Sequence, residues 1–191
     1  MFRGRNWPAE WSTHKDLESG VTVRQLTNHR SHSFHLYFTN PGWWDGGRRL
    51  LFGSDRQNRH NLFSVELATG QITQLTDLDP DAGALDFQVT CVNPLRDEAY
   101  FWQSRLLCAI DLRTCALRTI WEMPEGFRSS MINVTADGRY VCGGITEDLS
   151  RRLQIDPRRG APGFDQTFHA KPLGRIFKVA TDGSGCVILR E

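Results

Sequence analysis

The sequence predicts an all-β fold, a partial β-propeller with about three blades, each a four-stranded antiparallel sheet. Two observations predict it. A unit of four short apolar runs separated by turn residues begins near His32, and this unit recurs roughly every 45 residues, as propeller repeats do. No long window has apolar residues at helical spacing. A β-sandwich is the alternative, but the units align with one another in sequence, which favours the propeller.

The first predicted strand has no partners ahead of it in the chain. Val21–Thr27 alternates between apolar and polar residues, and its end resembles Ile72–Thr76, the fourth run of the first unit. Propellers commonly close by pairing an N-terminal strand into the last blade. We expect Val21–Thr27 to project here as an unpaired edge or to pair with another chain. Residues 1–18 form an arm that we expect Trp7 and Trp11 to hold against the body.

The first complete unit supplies the pattern for the others. Its four apolar or β-branched runs are Phe34–Phe38, Leu50–Phe52, Leu62–Leu67 and Ile72–Leu75. Turn residues separate these runs at Pro41-Gly42, Asp45-Gly46-Gly47, the polar run 55–61 and Thr69-Gly70. Glycine supplies positive φ, proline presets φ, and Asp or Asn bonds its own backbone. Four short strands joined by tight turns are therefore expected.

Two further units follow the first. They begin at Gln88–Val92 and Met131–Val134, which we expect to be innermost strands like Phe34–Phe38. We divide the chain into an N-terminal arm (1–18), a closing strand (19–28), blade one (29–81), blade two (82–126) and blade three (127–191). Blade three contains an insertion (146–173). Propellers have about 4–8 blades, so we expect either a longer protein or copies that associate through open blade edges.

The bulk composition argues against several classes of function. Of the 191 residues, 39% are hydrophobic and 24% charged, as in an ordinary globular domain, and the formal net charge is +1. Nucleic acid and membrane surfaces are therefore not expected partners, and no apolar run is long enough for a membrane helix. Five cysteines without Cys-x-x-Cys spacing, and an N-terminus without the apolar region of a secretory signal, favour reduced thiols and a cytoplasmic location.

The first unit is similar to two known families. Gly47–Arg56 followed by Asn61–Thr76 resembles the generic TolB-type propeller repeat, which indicates fold more than function. Gly20–Arg30, Leu36–Gly46 and the third-unit insertion resemble the N-terminal part of oligogalacturonate lyases, which are seven-bladed propellers. This second likeness covers nearly the whole chain, but only about the first half of a family member. It therefore implies that the chain is the N-terminal part of such an enzyme.

The resemblance implies cleavage of short pectin fragments by β-elimination. A divalent metal or an arginine neutralises the substrate carboxylate, a histidine base removes the adjacent C5 proton, and the C4–O bond breaks to leave an unsaturated uronate. The arginine fork binds carboxylates in two places, and histidine titrates near neutral pH. Manganese is the implied cofactor. Because the base and the metal ligands of the family lie in later blades, we assign no catalytic or metal-binding residue here and expect this chain alone to be inactive.

Four residues are candidates for binding the oligogalacturonide: His29, Arg30, His35 and Arg56. The His29-Arg30 pair matches a His-Arg pair that precedes the first strand in relatives, and His35 falls where some relatives have glutamine. Loops before innermost strands approach the central channel of a propeller, which favours substrate-facing roles. Arg56 has a second interpretation, a structural ion pair with Asp55 or a bond to a backbone carbonyl.

Other residues and the overall function also keep alternatives. His29, His32 and His35 are spaced so that a strand directs them to opposite faces, so a metal site built from them is not expected. Trp43 and Trp44 either stack on a sugar face or pack within a turn. The alternative to a lyase is a non-catalytic propeller module, TolB-like or WD-repeat-like, that binds a protein or glycan partner. The insertion has four arginines that either contact an acidic sugar or are solvated: Arg151, Arg152, Arg158 and Arg159.

Overall fold

The structure is a partial β-propeller, which confirms the predicted fold class. This computed structural model describes residues 2–79, 81, 83, 85–151, 153 and 164–191. In these residues the strands form three antiparallel blades and a separate two-stranded hairpin. The described helical structure is one α-helix, α1 (Phe164–Ala170), together with short 3-10 turns. Within the described ranges, neither α1 nor any other helix has the length and apolar character needed to cross a bilayer.

The strands follow the chain in order. β1 to β8 are Asn6–Trp7, Ser12–Lys15, Thr22–Gln25, Ser33–Phe34, Trp43–Trp44, Arg49–Ser54, Asn61–Glu66 and Ile72–Gln74. β9 to β16 are Cys91–Asn93, Glu98–Gln103, Leu106–Asp111, Leu117–Glu122, Phe127–Val134, Tyr140–Glu147, Gly174–Ala180 and Cys186–Arg190. Blade one has the order β1-β8-β7-β6-β4, and β5 also pairs with β6. Blade two is β12-β11-β10-β9, blade three is β13-β14-β15-β16, and β2 pairs with β3.

Alternation along the strands gives each blade two packed faces. On one face of blade one, Leu51 and Leu62 are fully buried in a cluster with Phe101 and Ile110 of blade two. On the opposite face, Phe63 belongs to a smaller cluster that the N-terminal region covers. Blade one is therefore enclosed between blade two and the chain's own arm.

The arm contacts blade one at several points. Trp7 and Leu26 pack against the buried cluster of Phe52 and Phe63. Trp11 Nε1 donates a hydrogen bond of 3.1 Å to the carbonyl of Thr69. The indole lies so close to Gly70 that a β-carbon there would stand 1.7 Å from it, and Gly70 also has a φ of +74°. Only glycine accommodates both features without a shift of the neighbouring groups.

Aromatic residues fill the junction between blades two and three. Tyr100 and Trp102 point away from blade one and join the cluster that contains Ile132 and Phe177 of blade three. The Phe177 ring lies 4.7 Å from the Trp121 ring and 6.0 Å from the Trp102 ring, between centroids. Phe177 is fully buried. This junction therefore fixes the third blade against the second.

The predicted innermost strand of blade one is shorter than expected. Phe34–Phe38 was predicted to be one strand, but β4 ends at Phe34, residues 35–42 leave the sheet, and β5 rejoins β6 at Trp43. A buried amide explains this path. Asn40 donates hydrogen bonds of 3.1 Å to the carbonyls of Thr90 and Ile132, in the inner parts of the other two blades. Between β4 and β5, the hydrogen bonds of Asn40 to the other two blades therefore take the place of strand pairing.

The other two predicted inner strands differ in extent. Gln88–Val92 was predicted to be extended, but Phe87–Val89 forms a 3-10 turn, and β9 begins only at Cys91. The Phe87 ring occupies the space over Gly53, where a β-carbon would lie 2.2 Å from it. This close packing of a ring on bare backbone holds the turn against blade one. Met131–Val134 does lie in a strand, the longer β13.

The expectation that Val21–Thr27 is unpaired, or pairs with another chain, is wrong. β3, in the predicted closing strand, pairs with β2 of the N-terminal arm, from Ser12 opposite Gln25 to Lys15 opposite Thr22. The turn between them is stabilised locally, because the Asp16 carboxylate accepts hydrogen bonds from the Ser19 backbone and hydroxyl. Such Asp side-chain bonds favour a tight turn, so the arm folds back on itself as a hairpin.

Candidate functional site

One end of the three blades gathers the loops that could meet a ligand. Four connections lie at this end: the loop before β4, the β6–β7 turn, the β10–β11 turn and the β12–β13 connection. The strand register places them there, because Ser33 pairs with Ser54, Gln103 with Leu106 and Phe127 with Glu147. We call it the upper face and define it by residues 28–32, 55–60, 103–105 and 123–127. It is where substrate-facing residues of this fold are expected.

His29 and Arg30, two of the candidate binding residues, lie in the loop before β4 on the upper face. Both side chains are exposed. The Ser31 amide donates to His29 Nδ1 at 3.1 Å, so a neutral ring carries its proton on Nε2. Among the described residues, no side chain or carbonyl binds the Arg30 guanidinium. The loop therefore presents a free cation beside a hydrogen-bond donor.

His32 and His35 have partners of their own. The His32 amide and Nδ1 each lie 2.8 Å from a carboxylate oxygen of Asp55, and this interaction holds the Asp55 pKa below its ordinary value. His35 is exposed in the excursion after β4, and its Nδ1 lies 2.6 Å from the Leu36 carbonyl. The histidines are therefore used separately, and His35 is not part of the His29 loop.

The predicted substrate-binding role of Arg56 does not fit its surroundings. Its side chain is 0% exposed and makes a bidentate ion pair with Glu10, with nitrogen–oxygen distances of 2.5 and 3.0 Å. The second interpretation from the sequence, a structural ion pair, describes Arg56 correctly, but the predicted partner is wrong. Asp55 interacts with His32, and Arg56 pairs with Glu10. A substrate carboxylate would have to displace Glu10 from a closed site.

The charge of Glu10 gives a pH dependence. Burial alone would raise the Glu10 pKa, but hydrogen bonds from Arg56 and the Asn28 amide outweigh it and hold the pKa below its ordinary value. A lowered folded-state pKa contributes stability that is present above the unfolded pKa of about 4.3 and is lost as pH falls through the folded pKa. We expect the melting temperature of the chain to fall with pH in this acid range. Glu10→Gln should make the melting temperature depend less on pH in this range. If calorimetry gives the same slope of melting temperature against pH for Glu10→Gln and the wild type, Glu10 is not the group responsible.

A second feature of the upper face is an open cleft between blades two and three. Its volume is ≈ 960 Å³, and Arg105, Arg128 and several hydroxyl groups line it. Arg105 is already paired with Glu122 and Glu125, at 3.0 and 3.2 Å. Arg128 lies 3.8 Å from a carboxylate of Asp148. The hydroxyl groups of the cleft can bind a ligand that carries hydroxyls. Both arginines of the cleft already have carboxylate partners, so within the described upper face the unpaired cation is Arg30.

Several other predicted candidates lie away from this face or outside the described residues. Trp44 is buried and donates to the Ser64 hydroxyl at 3.1 Å, which supports the packed-turn interpretation, while Trp43 is half exposed. The five cysteines are free thiols, and burial raises the Cys91 pKa to about 12, so this thiol is not a nucleophile at neutral pH. Three of the four insertion arginines lie outside the described residues: Arg152, Arg158 and Arg159.

A comparison with protein families decides the assignment. The family described as oligogalacturonate lyase matches residues 1–191, the whole chain. This chain belongs to the oligogalacturonate lyase family. The resemblance stated from the sequence is thereby confirmed.

Curated relatives agree with the family. The oligogalacturonate lyase of Dickeya dadantii is 28% identical over 205 aligned positions, which cover 100% of this chain and 48% of the relative. The oligogalacturonide lyase of Pectobacterium atrosepticum is 28% identical over 126 residues, which cover 65% of this chain and 31% of the relative. The chain thus spans about half the length, or less, of these relatives.

Solved structures show the same fold. An oligogalacturonate lyase in complex with manganese superposes with a TM-score of 0.83 at 21% identity, covering 98% of this chain and 48% of that one. A TolB protein from Agrobacterium tumefaciens superposes with a TM-score of 0.56 at 16% identity, covering 94% of this chain and 60% of that one. At these identities the likeness concerns the fold alone.

The residues described here do not form a manganese site. Among them, no three His, Cys, Asp or Glu side chains come together in a group that could hold a metal ion. The solved structure in complex with manganese therefore shares the fold with this chain, but the described part of the chain has no group of side chains that could hold the metal.

Proposed function

We propose that this chain forms the N-terminal blades of an enzyme that cleaves oligogalacturonides by β-elimination to unsaturated uronates. The observation that carries the proposal is the family match over residues 1–191. The described residues supply groups that could bind a sugar but no group of side chains that could hold a metal ion, and the chain spans about half the length of its relatives. We therefore assign the proton-abstracting base and any manganese ligands to parts of the protein outside the described residues.

In this proposal the loop before β4 binds the acidic sugar. The Arg30 guanidinium, exposed and unpaired among the described residues, would bind a uronate carboxylate through two parallel hydrogen bonds. The His29 ring accepts the Ser31 amide at Nδ1, so its Nε2–H is available to a sugar hydroxyl or carboxylate. His29 acts here as a donor, because the nitrogen that a base would use is occupied.

The binding role of Arg30 can be measured directly. We expect Arg30→Ala to weaken the affinity for trigalacturonate about tenfold or more, since a charge-assisted hydrogen bond contributes about 1.5–3 kcal/mol. Calorimetric titration gives the dissociation constant. Arg190→Ala, at the exposed outer edge strand β16, is the matched control and should bind like the wild type. Equal affinities of Arg30→Ala and the control would remove Arg30 from the site.

Activity needs a separate experiment. The product of the whole gene is incubated with digalacturonate and manganese, and the ultraviolet absorbance of the unsaturated uronate is followed. We expect product from the whole gene product and none from the 191-residue chain, whose described residues include no group of side chains that could hold a metal ion. Absence of product from the whole gene product would sink the lyase assignment.

The second candidate is a non-catalytic propeller module that binds a glycan or protein. It is favoured by one observation, the absence of a group of metal-binding side chains from the described part of the chain. The two candidates differ in outcome, because a module would bind trigalacturonate or another partner without releasing unsaturated product.

We also propose a cellular location and a surface for self-association. We place the protein in the cytoplasm, which the free thiols of all five cysteines support. We also propose self-association through the open end of blade three. There, apolar side chains remain about half exposed on the outer two strands, namely Ile176, Val187, Ile188 and Leu189. Exposed apolar edge strands of this kind favour association.

A further inference from the structure

Arg56 occupies an unusual position for an arginine. Its side chain is 0% exposed, and its guanidinium carbon lies 5.3 Å from the Trp7 ring, 5.8 Å from the Phe52 ring and 5.2 Å from the Phe63 ring. These rings exclude water from the guanidinium, which strengthens each hydrogen bond it makes. Burying a charge in such a cage is unfavourable unless it is fully paired. The guanidinium of Arg56 therefore depends on hydrogen-bond partners within the protein.

One branch of this pairing leads to the start of the His29 loop. Arg56 donates to both carboxylate oxygens of Glu10, at 2.5 and 3.0 Å. The same Glu10 accepts the backbone amide of Asn28 at 3.0 Å. Asn28 immediately precedes His29, so the N-terminal arm connects the buried guanidinium to one end of the loop.

The other branch leads to the end of the same loop. Arg56 Nε donates to the Ser54 hydroxyl at 3.3 Å. Ser54 in turn donates to the carbonyl of His32 at 2.7 Å. The adjacent Asp55 accepts the His32 amide at 2.8 Å. Both ends of the loop are therefore tied to one turn of blade one.

We infer that Arg56 is a positioning residue that orients His29 and Arg30 on the upper face. Neither of these two side chains touches Arg56, but the backbone on each side of them is anchored to it, through Glu10 on one side and Ser54 on the other. Ordering this loop in advance reduces the entropy lost when ligand binds. The inference rests on the proposed function of His29 and Arg30 as groups that bind the acidic sugar.

The geometry also explains why arginine occupies this position. Three donor directions are used, two toward Glu10 and one toward Ser54. A lysine ammonium is a point charge without the planar fork that reaches both partners together. Arg56→Lys should therefore retain the charge and recover only part of the loop order.

The first experiment measures loop order in the 191-residue chain without ligand. Trypsin cleavage after Arg30 is quantified by mass spectrometry relative to cleavage after Arg139, which lies in the exposed β13–β14 turn. We expect Arg56→Met to raise the ratio about tenfold and Ser54→Ala to raise it about fivefold, since each removes hydrogen bonds that anchor the loop. Arg49→Met removes a blade-one arginine paired with Glu66 and should leave the ratio unchanged.

Ser54→Ala protects the test against misfolding of Arg56→Met. If Arg56→Met unfolds, cleavage rises at both sites, and Ser54→Ala and Arg56→Lys decide instead. An unchanged ratio in Ser54→Ala, or a rise in Arg49→Met equal to that in the Arg56 variants, would overturn the inference. This readout uses no sugar, so it does not depend on the proposed function.

The second experiment links loop order to binding. Trigalacturonate affinity is measured by calorimetric titration at a temperature where every variant is folded. We expect Arg56→Met to weaken binding about tenfold, Arg56→Lys to lie between it and the wild type, and Arg49→Met to match the wild type. A purely structural role would lower the melting temperature and leave affinity unchanged, which would overturn the inference. Absence of binding by the wild type would instead count against the proposed function.

Discussion

Phe177→Ala is expected to lower the free energy of unfolding by about 3–5 kcal/mol, the range for truncating a buried phenylalanine. The ring is fully buried between the outer strand of blade two and the third strand of blade three, against Trp121 and Trp102. Its removal opens a cavity at a junction where one blade is held against the next. Urea unfolding followed by tryptophan fluorescence measures the change, because both neighbouring tryptophans report on this contact.

Phe38→Ala is the matched control for this prediction. The Phe38 ring is 80% exposed and lies against Tyr37 at 4.3 Å between centroids. An exposed substitution changes stability by about 0.5 kcal/mol or less. If Phe177→Ala and Phe38→Ala shift the urea midpoint equally, the junction does not hold blade three. A transition that splits in two only in Phe177→Ala would show that blade three detaches as a unit.

The middle strands of the blades could be predicted because their signals are local. β6, β7, β10 and β11 are short, almost continuously buried runs bounded by turn residues, so run length and turn chemistry indicate them directly. The innermost strands could not be predicted to the same precision. Their limits depend on contacts between blades, such as the ring of Phe87 on Gly53, and no periodicity within one blade records these contacts.

The N-terminal arm shows a different cause of error. β2 is exposed along its whole length and has no apolar period. β3 lies in the alternating run that predicts a strand, but it is also exposed throughout, so its pattern does not show which strand it pairs with. The turn signal was nevertheless in the sequence. Asp16, Ser19 and Gly20 form the turn that joins the two strands, and Gly20 has a φ of +69°. The residues of this turn therefore indicate a hairpin, although the two strands do not.

The candidate site was predictable only in part. The resemblance selected His29 and Arg30, and the structure exposes both on one loop. The partner of Arg56 could not be found in this way, because Glu10 lies 46 residues away in sequence and belongs to an arm without a period. A buried ion pair between distant segments is specified by tertiary packing and leaves no local pattern.

Asn40 is the second residue for which a large effect is expected. Its amide is buried, 2% exposed, and donates to the carbonyls of Thr90 and Ile132 while its oxygen accepts from Asn133. This one side chain of blade one therefore bonds to both other blades. Asn40→Asp keeps the shape, removes both donors and places a carboxylate against two carbonyl oxygens. We expect a loss of about 3–5 kcal/mol at neutral pH, as for an uncompensated buried charge.

The sign of the pH dependence tests the cause of this loss. A carboxyl group buried beside carbonyl oxygens has a raised pKa in the folded state. Its penalty is present above that pKa and decreases as pH falls, because the protonated acid can again donate to one carbonyl. The difference in unfolding free energy between Asn40→Asp and the wild type should therefore narrow in acid. Asn6→Asp makes the same change at an exposed site, where the side-chain oxygen still accepts the Thr73 hydroxyl. A difference for Asn40→Asp that is small at neutral pH, or that widens in acid, would show that the three blades are not held together through Asn40.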